Sequence, residues 1–107
     1  MRWKLIAWLI LACFTAFCAS SLFAEAETFK PKDGFIPDEK TAIRVAEAVL
    51  SPIYGEDKII SERPFTAKLN KDVWTVTGHL REGLLGGVAE IRISKTTGKI
   101  ISVTHGR

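Results

Sequence analysis

The chain has 107 residues, with 15 Lys+Arg, 12 Asp+Glu, 2 His and 2 Cys. That length holds one small domain and excludes a multidomain enzyme, and a net charge of +3 is too small to point to nucleic acid. With 47% hydrophobic and 25% charged residues, the composition excludes wholesale disorder.

The first element in chain order is an export signal. Arg2 and Lys4 form a positive start, Leu5 to Ala24 carries no charge, and Ala24-Glu25-Ala26 is a small-x-small pattern. This is the layout of a secretory signal peptide over residues 1–26, cleaved between Ala26 and Glu27, and it predicts a periplasmic protein. Two alternatives stay open. An uncharged run of this length nearly spans a bilayer, so the leader could remain as an anchor. Ile10-Leu11-Ala12-Cys13 is a loose lipobox in which Cys13 would carry the lipid. In each case the membrane is reached only through the leader. Both cysteines, Cys13 and Cys18, lie inside it. The domain therefore has no thiol nucleophile, disulfide or Cys-type zinc site, and its core alone must hold it.

Residues 27–36 read as a flexible tether, with Pro31, Gly34 and few apolar side chains. Pro37-Asp38-Glu39 opens a helix, since Pro suits a first turn and acids suit the positive end of the dipole. Ala42, Ile43, Ala46, Val49 and Leu50 recur at three- and four-residue spacing and form its apolar stripe. Ser51-Pro52 is expected to end or bend it, with a terminal turn over Ile53-Tyr54-Gly55.

From there the period changes to two. Lys58 to Glu62 reads as a short edge strand. Pro64 to Leu69 alternates with Phe65, Ala67 and Leu69 on one face, and Asn70-Lys71-Asp72 is a turn. Val73 to Leu80 is the clearest strand, with Trp74, Val76 and Leu80 inward and Thr75, Thr77 and His79 outward. Val88 to Ser94 sends Ala89, Ile91 and Ile93 inward. Lys95 to Gly98 is a hairpin turn, and Ile100 to Thr104 closes the chain with Ile101 and Val103 inward. The fold class is thus α+β: one main helix packed on a three- to four-stranded antiparallel meander, covering residues 37–107.

The chemical inventory is sparse. His79 and His105 belong to no ligand-spaced motif, so no metal and no cofactor is expected; a surface histidine paired with a neighbour such as Glu90 is the plainer reading. Ser51, Ser61, Ser94 and Ser102 lie in no nucleophile elbow, and no catalytic residue is assigned. Gly86-Gly87 lacks the Lys and Ser/Thr of a phosphate loop and fits a bulge or close backbone approach at a strand start. The candidate partner-binding residues are those of the wet sheet face, Thr75, Thr77, His79, Glu90, Arg92, Ser102 and Thr104. Leu84 and Leu85 join them, on a loop that is either a partner contact or a lid folded back on the sheet end.

Several blocks together carry a family resemblance. They are Asp38 to Ile43, Ala46-Glu47-Ala48, Pro52-Ile53-Tyr54-Gly55, Arg63-Pro64-Phe65, Val73 to Gly78, Gly86 to Ile91, Gly98 to Ile101 and His105-Gly106. Over about Pro37 to Gly106 the chain resembles the immunity proteins of the nuclear-transport-factor-2-like (cystatin-like) fold, from bacterial polymorphic toxin systems. The resemblance implies a non-enzymatic protein that neutralises a cognate protein toxin by direct binding. A second resemblance stays open. The helix–meander order and Thr97-Gly98-Lys99-Ile100 also resemble PepSY domains, which implies a periplasmic module that inhibits or modulates a protease or other envelope protein.

Overall fold

The computed structural model describes residues 26–106. The leader through Glu25, with Cys13 and Cys18, lies outside the described residues. Helix α1 (Glu39–Tyr54) is followed by a short helix α2 (Glu56–Ser61) and four strands: β1 (Thr66–Asn70), β2 (Val73–Thr77), β3 (Ala89–Ser94) and β4 (Ile100–His105). The strands form one antiparallel meander in the order β1-β2-β3-β4, with α1 packed across β1, β2 and β3. The helix on a four-stranded antiparallel sheet is the expected α+β architecture.

Asp38 caps α1: its Oδ1 accepts the Thr41 N–H at 2.8 Å, and Glu39 sits in the first turn. Ala42, Ala46 and Leu50 are buried on the sheet side. The alanines let the helix approach closely, and Leu50 fills the space beyond them. Ser51-Pro52 does not end the helix. Pro52 lies inside its last turn, and the Gly55 N–H still bonds Ser51 O at 2.8 Å. Gly55, at φ +101°, then turns the chain into α2, a conformation that favours glycine.

That second helix corrects the edge strand expected over Lys58 to Glu62. Glu56 and Asp57 occupy its first turn, Ile59 is buried and Ile60 is exposed. Strand β2 stops at Thr77, so His79 and Leu80 fall outside it and Leu80 is 41% exposed. Strand β4 departs differently. Arg92 pairs with Ser102 but Ile93 pairs with Ile100, so Ile101 is an extra residue in a bulge. Ile100 and Val103 pack on the core, whereas Ile101, expected inward, is exposed.

Leu50, Ile59, Val76, Ile91 and Ile93 are the largest fully buried side chains. Each contributes roughly 1.5–3 kcal/mol relative to an exposed position. Trp74 donates its Nε1–H to Ile36 O at 2.8 Å, and the Ile36 N–H bonds Lys95 O at 3.0 Å. The C-terminal end of the segment read as a tether is therefore docked: Ile36 is buried and belongs to the core.

Candidate functional site

Strand pleating sends alternate side chains to opposite faces, so the residues that build the core also define the face away from it. The two-residue register places Thr66, Thr77, Glu90 and Thr104 in one cross-strand row. Lys68, Thr75, Arg92 and Ser102 form the next. Neighbouring strands lie about 4.8 Å apart, so each row is roughly 15 Å long. Helices α1 and α2 occupy the other side, and no described element covers these rows. Lys68, Arg92 and Thr104 are exposed, while Thr75, Thr77, Glu90 and Ser102 are half-buried.

Six of the nine residues expected at a partner surface thus come together: Thr75, Thr77, Glu90, Arg92, Ser102 and Thr104. His79 does not share a row with them, because β2 ends first. Its backbone N–H turns away to Glu62 O at 2.7 Å, and its side chain is exposed. Leu84 and Leu85 lie in the connection between β2 and β3. Leu84 is 57% exposed and Leu85 fully so, which removes the alternative of a lid folded over the sheet end. Gly83 (φ +83°) and Gly86 (φ +116°) flank them with a backbone that other residues resist. Two residues of the face, Thr66 and Lys68, were missing from the expected set. The alternation that sends Ala67 inward was the signal for both.

The end of the sheet beside this loop holds a polar cluster that sequence reasoning missed. Glu62 follows α2 and is 4% exposed. Its Oε1 accepts the Ala89 N–H at 2.6 Å, and its Oε2 lies 3.2 Å from His105 Nε2. Nδ1 of the same ring is 2.7 Å from Gly106 O, and the ring centroid is 5.0 Å from that of Tyr54. Among the described residues, no histidine pairs with Glu90; His105 pairs with Glu62 instead. The cluster joins both helices to the start of β3 and the end of β4. Two glycines make room for it and for the strand ends. A Cβ on Gly78 would stand 2.6 Å from Glu62 Oε1, and one on Gly87 would run into the backbone of Gly106. Gly87 is thus the close approach expected at this strand start.

Arg63 makes a two-point ion pair with Glu47 of α1, its Nε 2.6 Å from Oε1 and a terminal nitrogen 3.3 Å from Oε2. Hydrogen bonding to Glu47 holds the guanidinium pKa above its ordinary value. In the β1–β2 turn, the Asp72 carboxylate accepts the hydroxyls of Thr96 and Ser94, which hold its pKa below the ordinary value. Both sets of contacts are made within the fold, between the helix and the chain after it and between the two hairpin turns. Among the described residues, no group of three His, Asp or Glu side chains is placed to hold a metal.

The profile of a family described as "NTF2 fold immunity protein" matches residues 41–107. Uncharacterized protein YhhH of Escherichia coli (strain K12) is 29% identical over 73 residues. That match covers 67% of this chain and 58% of YhhH, so the chain spans under two thirds of the relative's length. No solved structure matches.

Proposed function

The chain belongs to the NTF2 fold immunity protein family, and from that premise we propose that it neutralises a cognate protein toxin by binding it directly. The family match is the observation that carries this reading. It runs from the first turn of α1 to the end of the chain and so takes in both helices and the whole sheet. Families of this kind are generally non-enzymatic, and in this reading the chain acts by occlusion. The open sheet face, with the Leu84-Leu85 loop beside it, is the contact surface: hydroxyls and charges surround it, and two apolar side chains stand clear of the fold. The leader read over residues 1–26 puts the encounter in the periplasm.

The test is retention of partners by the tagged full-length chain in its host envelope, followed by co-expression of what is retained. The expected result is a toxin-domain protein whose growth inhibition the chain relieves. Recovery of an envelope protease that the chain inhibits, without any toxin, would instead favour the PepSY-like reading.

A further inference from the structure

Charge is unevenly divided along this fold. The stretch 37–65, which holds both helices, carries six acids and four bases; the stretch 66–105, which holds the sheet, carries six bases and three acids. Of those three acids, Asp72 is already occupied by the hydroxyls of Ser94 and Thr96, and Glu82 adjoins Arg81 in the loop. On the open face, Lys68 and Arg92 stand in one row, and neither makes an ion pair among the described residues. Glu90 stands in the next row, between Thr77 and Thr104, with no cation opposite it.

The row itself reads Lys68, Thr75, Arg92, Ser102 across the four strands. Every one of these side chains can donate a hydrogen bond, and two carry fixed positive charge. A surface of aligned donors at strand spacing matches acceptors that are negative and closely set. We infer that the open face docks an acidic protein surface, whose carboxylates meet Arg92 and Lys68. Protein carboxylates fit better than a single-stranded nucleic acid because, among the described residues, neither row holds an aromatic side chain on which bases could stack. Trp74 points into the core, and Tyr54 packs on His105. Resting on the immunity reading, this makes the toxin's contact surface acidic.

The test does not need the toxin. The purified protein is titrated with a hexaglutamate peptide, a hexalysine peptide and a single-stranded oligonucleotide, and backbone amide shifts are followed by NMR. The expected result is a response to hexaglutamate centred on Lys68, Thr75, Arg92 and Ser102, weakening with salt, and none to hexalysine. Lys68→Glu with Arg92→Glu should lower hexaglutamate affinity by about tenfold or more, while Lys40→Glu on α1 leaves it unchanged. Unchanged thermal melts would show that the exposed substitutions keep the fold. Shifts centred on the helices or on the turn lysines, indifference to the charge reversal, or stronger binding of the oligonucleotide would each overturn the inference. None of these outcomes bears on whether a toxin is bound elsewhere, so the two readings fail separately.

Discussion

Glu62 and His105 stand 43 positions apart in sequence and meet at 3.2 Å, with the carboxylate almost fully buried. The same carboxylate receives the Ala89 N–H, so one side chain satisfies a strand amide and an imidazole together. Truncation to Glu62→Ala leaves that amide without its partner in the interior. The expected loss is about 1–3 kcal/mol of unfolding free energy, measured by urea denaturation. Glu62→Gln keeps an acceptor for the amide and should lose less. Equal losses for the two variants would show that the amide bond is not what the carboxylate stabilises.

Gly78 lies against that carboxylate and against the Phe65 ring, which a Cβ would approach to 3.2 Å. Neither neighbour has free space to retreat into, since Glu62 and Phe65 are both buried. Gly78→Ala should therefore destabilise by about 1–3 kcal/mol through overpacking. Gly83 meets nothing within 4 Å, so Gly83→Ala bears only the strain of its positive φ, about 1 kcal/mol. Urea midpoints that put Gly83→Ala below Gly78→Ala would refute this ranking.

The inward face of the sheet was readable because a two-residue period is enforced by burial. A slip of one residue would expose Trp74, Val76, Ile91 and Ile93 together. The same period laid out the open face, from Thr75 and Thr77 to Arg92 and Glu90. It failed where the pattern carries no phase. Ile100 and Ile101 are both apolar, so nothing local reveals that a bulge turns Ile101 out and Ile100 in. In α2, six residues are too few to show a helical period, and the pair Ile59-Ile60 suits either structure until packing selects Ile59. Glu62 left no trace, because the groups that hold it come from Ala89 and His105, far along the chain.

Two carboxylates link the fold to pH. Hydrogen bonding to Thr41 holds Asp38 below the ordinary value of 3.8, and hydrogen bonding to Thr96 and then Ser94 does so for Asp72. A pKa lower in the folded chain means that folding favours the ionised form. Stability from both groups is present above 3.8 and is lost as pH falls through the folded values. Urea midpoints should thus drop as the pH is taken down through 3.8 and below it. Asp38→Asn combined with Asp72→Asn should flatten that drop, since asparagine retains the helix cap without the charge. An unchanged acid limb in the double variant would assign the sensitivity to other groups.

The loop between β2 and β3 is long for a connection between neighbouring antiparallel strands, which two to five residues commonly join. Its glycines hold Leu84 and Leu85 out in solvent rather than against the core. Neither leucine is packed in the core, and in the proposed reading the pair meets the partner. Leu84→Ser with Leu85→Ser should leave stability within about 0.5 kcal/mol of the parent, because neither side chain is buried. The same change should weaken binding of the cognate toxin by about tenfold, the loss expected when an apolar anchor leaves an interface. Calorimetric titration alongside a thermal melt separates the two effects. A double variant that unfolds early would make the leucines structural, and one that binds with undiminished affinity would confine recognition to the sheet face.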